Sequence, residues 1–379
     1  MGEIEVFDDF ARAERDWRRL EATCAASPYQ TFAFCSAWMA TIGATEGATP
    51  LIAIARARGG EPIALLPLQR RRFGPLNVAS FQGGRMANYQ FGLFREPDSW
   101  ARADVVPLLQ RIAGRARVDL FVFAQQPLAW RGRVNPLREL GGAPSPSFAY
   151  ATRLDDDYSA WLAAHYSADA RKKRRAKTRK LGALGPLTAA RAATPAARRA
   201  AFEAFLAQKR ARMAALALPD EFEDPAMRAF VALLGGVESD EPEAGFDWFV
   251  ASAGERIVSV FAGLERAGRL SGLLFSHDMA PEVAIGSPGE WLTHALVEDG
   301  IARGLEAIDF GVGEARYKAE ICEIAEPQFD TAFATTAIGA AGALAFRWGR
   351  ALKRHIKHSP RLFDAARAVQ RLIVRPRAR

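Results

Sequence analysis

The stretch that decides the fold runs from Ser287 to Lys318 and reads SPGEWLTHALVEDGIARGLEAIDFGVGEARYK. Ser287 is a residue type that caps helices, Pro288 suits the first helical position, and Glu290 stands three residues after the cap, as in a capping box. Apolar residues then recur at helical spacing, and Gly304 supplies the left-handed residue that commonly ends a helix. The sequence therefore predicts a helix that begins at Pro288 and stops before Gly304.

A short strand and a glycine turn follow this helix. Residues 305–310 form an apolar run typical of a buried strand, and Gly311 and Gly313 require a turn after it. Backbone N–H groups in such a turn can approach a ligand closely, as they can at the start of a helix. Tyr317 and Lys318 then add a proton donor and a cation. The combination indicates transfer of a group that carries phosphates or forms an oxyanion.

The run from Trp248 to Lys318 resembles the C-terminal half of the CelD/BcsL-like acetyltransferases, a branch of the GNAT superfamily related to the FemAB peptidoglycan-bridge enzymes. The first half carries weaker matches at Ser27, Pro28, Tyr29, Gln30, Trp38, Pro67, Leu68, Gly83, Gly84, Asn88 and Tyr89. The resemblance covers about residues 10–325 and implies two GNAT-like domains in tandem. The implied fold class is α/β (α+β), with mixed, mostly antiparallel sheets flanked by helices.

The same resemblance implies an acyl-CoA co-substrate, such as acetyl-CoA, and no metal. Acyl transfer needs an acceptor freed of its proton, a stabilised oxyanion and a proton for the departing thiolate. We expect Asp309 to orient or deprotonate the acceptor, Tyr317 to protonate the leaving group, and Lys318 to bind phosphate or carboxylate. Contacts with the co-substrate are expected at Ser287, Gly289, Gly311 and Gly313. The usual GNAT phosphate loop has only a partial counterpart in Arg269, Gly272 and Leu274.

Other interpretations of these residues stay open. Asp309 could bond only local amides, while the glycines merely reverse the chain. His277, beside Asp278 at a strand end, is an alternative base because imidazole titrates near neutral pH, although a histidine in this position more often belongs to a core or a sheet edge. His165 and His294 have no partner at metal-ligand or triad spacing, so we expect no metal site.

Length and composition favour two domains of ordinary size. The chain has 379 residues, and 49% of them are hydrophobic. A Gly-, Pro- and Ser-rich loop near residues 141–147 predicts a boundary between domain 1–147 and domain 148–343, with a tail at 344–379. Strands are predicted at 51–56, 62–68, 118–123, 248–252, 257–264 and 270–275, and helices at about 101–114 and around Phe202 and Phe205.

The formal net charge of +8 is concentrated in the tail. Residues 344–379 hold eleven Lys and Arg against one acid, Asp364, a local charge of +10. Apolar residues form a helical stripe among these cations, namely Trp348, Leu352, Ile356, Leu362, Ala366, Val369 and Ile373. The stripe predicts basic amphipathic helices that either pack on the enzyme or lie on an anionic membrane surface. Arg347, Arg350 and Arg354 could also bind a phosphorylated second messenger.

A second basic run holds eight cations between Arg171 and Lys180, with no acid. It could be a solvated helix face, a nucleic-acid patch or a phosphate-binding wall. Nucleic-acid modules normally interleave aromatic residues, which this run lacks, so we do not expect a nucleic-acid partner. Arg171, Arg174 and Arg175 would instead meet the phosphates of a nucleotide- or lipid-linked sugar precursor.

Several features suggest a cytoplasmic location, in solution or at the inner face of the cytoplasmic membrane. The three cysteines, Cys24, Cys35 and Cys322, are too scattered for a disulfide framework. Acidic residues precede any apolar run at the N-terminus, unlike a secretory signal peptide. The uncharged run 331–346, rich in Ala, Gly and Thr, falls short of the ~20 apolar residues that span a bilayer.

Taken together, these residues predict an acyltransferase, most simply an N-acetyltransferase. It would move an acyl group from acyl-CoA to an amine or hydroxyl of a cell-envelope or exopolysaccharide precursor. One alternative is a FemAB-like aminoacyl transferase that uses charged tRNA. Another is a catalytically inactive protein that binds a membrane or a regulator.

Overall fold

The computed structural model of the protein describes residues 2–239 and 245–359. These residues form two compact units: the first comprises residues 2–148 and 326–359, and the second residues 149–325. Each unit is built on one main β-sheet with helices packed against it. The predicted α/β class, with mixed and mostly antiparallel sheets, is confirmed.

The first unit has a main sheet in the order β1-β2-β3-β4-β6-β17-β9, with β5 beside β3 and a separate hairpin of β7 and β8. Numbered in chain order, its strands are β1 Ile4–Phe7, β2 Thr49–Arg56, β3 Pro62–Phe73, β4 Leu76–Phe81, β5 Leu93–Phe94, β6 Leu120–Pro127, β7 Ala129–Trp130, β8 Arg133–Val134, β9 Ala143–Pro144 and β17 Gln328–Ala334. Its helices are α1 Phe10–Thr23, α2 Phe32–Trp38, α3 Arg102–Ala116 and α11 Ala337–His358.

The second unit has the sheet order β11-β12-β13-β14-β15-β10-β16. Its strands are β10 Ala149–Arg153, β11 Leu187–Arg191, β12 Asp247–Ala253, β13 Arg256–Arg266, β14 Arg269–His277, β15 Ala307–Val312 and β16 Ile324–Glu326. Its helices are α4 Tyr158–His165, α5 Ala168–Gly182, α6 Pro195–Leu216, α7 Pro225–Leu234, α8 Pro281–Ala284, α9 Pro288–Ala302 and α10 Arg316–Ile321.

Local sequence patterns account for most of these elements. The apolar runs of β2 and β3 pair across a turn that contains Gly60 at φ +85°, as the predicted hairpin requires. Residues 51–55 are all buried, so both faces of β2 are covered. Helix α9 ends next to Gly304 at φ +70°, which confirms the predicted stop. The predicted strands of the second half correspond to β12, β13 and β14.

The two main sheets share one pattern of strand pairing, although β17 follows the other strands of its sheet in the chain and β10 precedes those of its own. In the first, β1 to β4 pair antiparallel in succession, β4 pairs parallel with β6, and β6 pairs antiparallel with β17. In the second, β11 to β14 pair antiparallel, β14 pairs parallel with β15, and β15 pairs antiparallel with β10. The tandem arrangement is therefore visible in the strand order, although no sequence repeat marks it.

Residues 326–343 lie in the first unit, whereas the sequence suggested the domain 148–343. Strand β17 forms an antiparallel ladder with β6, from Gln328 opposite Pro127 to Ala334 opposite Leu120. Helix α11 then packs Ala343 into a small core with Leu120 and Ala332. The pairing partner of a strand is determined by tertiary contacts, so the local composition of residues 326–343 could not reveal that this segment pairs with the first unit.

The weaker motifs of the first half come together in a buried network. The side-chain oxygen of Gln30 accepts hydrogen bonds from the Ser27 N–H and hydroxyl, and its amide nitrogen donates to the Tyr89 carbonyl at 2.8 Å. Asn88 donates to the Tyr29 hydroxyl at 2.7 Å. These residues fasten loops of the first unit to one another. No helix among residues 2–239 and 245–359 is long and apolar enough to cross a bilayer.

Candidate functional site

Helix α9 begins at Pro288 as predicted, but Ser287 does not cap it. Ser287 has a left-handed backbone with φ +50°, and its side chain makes no capping hydrogen bond. The Glu290 carboxylate lies 2.6 Å from the Lys177 ammonium instead of folding back onto the helix start. The predicted capping box is therefore wrong. Because Pro288 has no N–H, the N–H groups of Gly289 and Glu290 are the first donors of the helix, and no side chain in the described ranges caps them.

Strands β14 and β15 run parallel but pair only where they begin, through residues 269–271 and 307–309. Beyond this short ladder β14 pairs with β13 and β15 with β10, so the two strands separate toward their C-terminal ends. A Cβ at Gly272 would lie 2.7 Å from the Phe261 ring and 3.0 Å from the Asp309 carbonyl oxygen, so glycine is required there. The partial phosphate loop suggested at Arg269, Gly272 and Leu274 therefore lies inside a strand and forms no loop.

Tyr317 occupies the gap between the separated strands. Its ring centroid lies 5.8 Å from that of Phe275 on β14 and 6.0 Å from that of Phe310 on β15. No hydrogen bond of its hydroxyl occurs in the part of the chain that the structure describes. Burial raises the pKa of Tyr317, and the nearby Cys322 raises it further. The phenol is therefore protonated at neutral pH and can serve as a proton donor.

A cavity of about 260 Å³ lies where the start of α9, the end of β14 and Tyr317 meet. Aromatic and apolar side chains share its lining with polar groups of the helix start: Tyr166, Phe275, His277, Ala284, Ser287, Pro288, Gly289, Glu290, Thr293, Tyr317, Glu320 and Ile321. Pockets for drug-sized ligands are usually ~300–1,000 Å³, so this one suits part of a larger ligand. Of the predicted site residues, the structure brings Ser287, Gly289 and Tyr317 together here.

Asp309 is fully buried and lies outside the cavity lining. Its Oδ2 is 3.0 Å from Nη2 of Arg269, and its Oδ1 accepts a hydrogen bond from the Gly311 N–H at 2.7 Å. The ion pair ties β15 to the start of β14, and the second bond holds the turn. This geometry favours a positioning role over direct contact with an acceptor.

Lys318 also helps to hold the glycine turn that Asp309 binds. The Lys318 ammonium is buried and donates to the Gly311 carbonyl at 2.9 Å. Gly311 at φ +76° and Gly313 at φ +103° adopt the predicted left-handed conformation. The Gly311 N–H is engaged by Asp309, and neither glycine lines the cavity. The expected ligand contacts of Lys318, Gly311 and Gly313 therefore stay predictions, and none of the three residues lines the cavity.

His277 is the residue that the sequence suggested as an alternative base, with a place in a core or at a sheet edge as the more common role. It lies at the end of β14 and lines the cavity, and its Nδ1 is buried without a hydrogen-bond partner among the described residues. A Cβ at Gly289 would lie 3.5 Å from that nitrogen, which places the ring against the first turn of α9. Burial lowers the pKa of His277, and Arg212 lowers it further. The imidazole is therefore neutral at pH 7 and can accept a proton.

The basic run forms helix α5, which packs beside the start of α9 through the Lys177–Glu290 ion pair. Arg171 and Arg174 are partly buried and Arg175 is exposed, and none of the three lines the cavity. Nε of Arg174 is buried without a hydrogen-bond partner in the described structure. The predicted phosphate role of these arginines stays a prediction.

The remaining histidines of the second unit find partners far away in the chain. His294 is buried, its Nδ1 lies 2.9 Å from the Tyr158 hydroxyl, and burial together with Arg174 lowers its pKa to about 3. His165 Nε2 lies 3.0 Å from the Glu323 carboxylate. Neither belongs to the cavity lining. No cluster of His, Cys, Asp or Glu able to hold a metal ion occurs in residues 2–239 and 245–359.

The predicted tail divides at the end of helix α11. Trp348, Leu352 and Ile356 lie on α11, whereas Leu362, Ala366, Val369 and Ile373 fall outside the described residues. Arg350 forms an ion pair with Asp330. Arg347 donates a hydrogen bond to the Ala332 carbonyl, and Arg354 donates a long one, of 3.5 Å, to the Pro144 carbonyl. These three arginines therefore bind the first unit itself, and a nucleotide messenger at this place stays a prediction.

Comparison with known proteins gives one family match and several structural relatives. Residues 168–319 match the family model described as acetyltransferase (GNAT) domain. Among solved structures, FemX superposes with a TM-score of 0.59 at 9% identity, covering 86% of this chain and 96% of its own. A conserved protein of unknown function from Bacteroides thetaiotaomicron gives 0.54 at 11% identity, covering 86% and 99%.

L-PGS from Bacillus licheniformis gives a TM-score of 0.52 at 12% identity, covering 92% of this chain and 98% of its own. No curated protein sequence matches significantly. At these identities the structural likeness shows the fold alone. Residues 168–319 therefore match the GNAT acetyltransferase domain, within a chain that shares the fold of FemX.

Proposed function

We propose that the second unit is an acyltransferase of the CelD/BcsL-like type that uses acyl-CoA, most simply acetyl-CoA. The observation that carries this proposal is the cavity at the start of α9 and the end of β14, with uncapped N–H groups on one side and Tyr317 on the other. Helix N-termini favour anions through free N–H groups and the helix dipole. The pyrophosphate of the donor would lie against Gly289 and Glu290.

The chemistry then divides between two side chains. The acceptor nitrogen or oxygen attacks the thioester carbonyl, so that a new C–N or C–O bond forms as the C–S bond breaks. His277, neutral and with Nδ1 facing no partner in the described structure, would take the acceptor proton. Tyr317 would give its proton to the departing thiolate. Asp309 and Lys318 would hold the turn from which Tyr317 is presented.

The acceptor would be an amine or hydroxyl of a cell-envelope or exopolysaccharide precursor made in the cytoplasm. The cations of α5 beside the cavity support an acceptor that carries phosphates, such as a nucleotide- or lipid-linked sugar, with Arg171, Arg174 and Arg175 as its partners. The reaction would take place in the cytoplasm or at the inner face of the cytoplasmic membrane.

One observation favours aminoacyl transfer from charged tRNA as the second candidate. Five cations of α5 are exposed, at Lys172, Lys173, Arg175, Arg179 and Lys180, and the described residues offer them no ion pair. A helix of this kind can follow a phosphate backbone. In that case the aminoacyl ester, instead of a thioester, would lie near Tyr317.

Calorimetric titration with acetyl-CoA, free CoA and aminoacyl-tRNA tests the proposal. We expect acetyl-CoA to bind, and Gly289→Asp to weaken it at least tenfold, because a carboxylate at the helix start would repel the donor phosphates. Gly114→Asp is the matched control, since it adds the same side chain to α3 where a Cβ meets no atom within 4 Å. Binding of tRNA alone would support the second candidate, and binding of none of the three would contradict both.

A further inference from the structure

Helix α11 is seated firmly on the first unit by one of its faces. Ala343 packs with Leu120 and Ala332, and a Cβ at Gly342 would lie 2.9 Å from the Leu76 side chain. Arg350 forms an ion pair with Asp330 on the same side. The helix is therefore a fixed part of the fold, and its opposite face has a defined orientation.

That opposite face is apolar and exposed from Ile338 to Leu352. The exposed fraction is 42% for Ile338, 56% for Leu344, 71% for Trp348 and 60% for Leu352. Ala341 and Ala345 are exposed between them. Leu344, Trp348 and Leu352 follow one another at intervals of four residues, which places them in one stripe. A stripe of large apolar side chains in water marks an interaction surface.

The charge around the stripe has one sign. Helix α11 contains five Lys and Arg and no acid, and the sequence has no acid between Asp330 and Asp364. Arg347, Arg350 and Arg354 bond groups of the first unit, whereas Lys353, next to Leu352 in the sequence, is exposed. A second copy of this helix laid against the first would offer no acid to the exposed Lys353, because α11 contains none. An anionic lipid surface supplies both an apolar interior and negative headgroups.

We propose that α11 docks this protein on an anionic membrane surface, lying in its plane with Leu344, Trp348 and Leu352 inserted at the headgroup boundary. Tryptophan suits this depth because its ring is apolar and its N–H can meet polar headgroups. The surface belongs to the first unit and does not depend on acyl transfer by the second. Loss of docking and loss of catalysis are therefore separate outcomes.

Sedimentation of the full chain with vesicles tests the proposal. We expect binding to phosphatidylcholine vesicles that contain about 30% phosphatidylglycerol and at least tenfold weaker binding to phosphatidylcholine alone, with salt reducing the difference. Trp348→Ser should weaken binding to the anionic vesicles at least tenfold. Phe73→Ser is the matched control, because Phe73 is 55% exposed on β3 of the same unit, and it should bind as the parent does.

A charge variant and an oligomer measurement complete the test. Lys353→Glu keeps the stripe intact and should also weaken binding to anionic vesicles, with an unchanged melting temperature showing that both variants fold. Light scattering after size exclusion should show a monomer. A dimer that Trp348→Ser dissociates, together with absent vesicle binding, would assign the stripe to self-association and overturn the proposal. So would absent binding of the parent protein at low salt.

Discussion

Replacing Tyr317 by phenylalanine should abolish most of the activity and leave the fold intact. The hydroxyl has no hydrogen bond within the described residues, while the ring contacts Phe275 and Phe310, which the variant retains. We therefore expect the free energy of unfolding to change by less than about 0.5 kcal/mol. Loss of a positioned general acid costs ~10²-fold or more, which corresponds to about 2.7 kcal/mol of transition-state stabilisation.

The assay follows thiol release from acetyl-CoA with a panel of amino sugars and hydroxyl acceptors. A second acetyl donor, a thioester of an aromatic thiol, distinguishes proton donation by Tyr317 from a purely structural role of this residue. The aromatic thiolate leaves without a proton, so Tyr317→Phe should lose far less activity with this donor than with acetyl-CoA. Because its pKa is raised, deprotonation of Tyr317 should cause no loss of the parent activity up to pH ~10.

Tyr158→Phe is the matched control for Tyr317→Phe. Its hydroxyl lies 2.9 Å from Nδ1 of the buried His294, and Tyr158 is not a cavity residue. We expect this variant to lose about 1–3 kcal/mol of stability and to keep its activity within twofold. The assignment of Tyr317 would be refuted by a Tyr317→Phe variant that is fully active, or by equal losses with the two donors.

Three further changes test other parts of the second unit. Asp309→Asn removes the carboxylate from the buried ion pair with Arg269 and should cost about 3 kcal/mol in urea unfolding. Part of this loss should be restored by Arg269→Met in the double variant, and additive effects would contradict the ion pair. Gly311→Val should lower both stability and donor affinity, because a β-branched residue resists φ +76°, and unchanged calorimetric binding would show that the turn only reverses the chain. The pKa of His294 is lowered to about 3, so the unfolded chain binds more protons than the folded protein below pH ~6.5. The free energy of unfolding should therefore decrease as the pH is lowered, by up to about 1.4 kcal/mol per pH unit. His294→Gln should reduce this pH dependence in unfolding measured from about pH 7 to 4.

The sequence alone determined those elements whose signals are local. The hairpin of β2 and β3, the meander of β12 to β14, and the helix and strand around Gly304 all follow from apolar periodicity and from glycine at positive φ. Tyr317 could be selected because a tyrosine after a strand and a glycine turn supplies a proton donor. Periodicity and turn chemistry depend on neighbours along the chain, so they can be read without a tertiary structure.

Only the tertiary structure decided what each local signal is used for. Ser287 belongs to the residue types that cap helices, yet its backbone is left-handed and its side chain does not cap α9. The carboxylate of Glu290 instead pairs with Lys177, which lies 113 residues earlier in the chain. Asp309 was expected to orient or deprotonate the acceptor, and the structure pairs its carboxylate with Arg269 and the Gly311 N–H. Such pairings depend on how the chain returns in space, and no spacing in the sequence records that distance.

The repeat and the position of His277 illustrate the same limit. The two sheets have equivalent strand orders because pairing geometry persists after side chains diverge. Each sheet includes a strand, β10 or β17, whose pairing partner could not be predicted from the local composition. The sequence suggested His277 as an alternative base, but only the structure placed the first turn of α9 against its ring. Sequence thus determined the elements and their chemistry, whereas long-range packing determined which groups meet in the cavity.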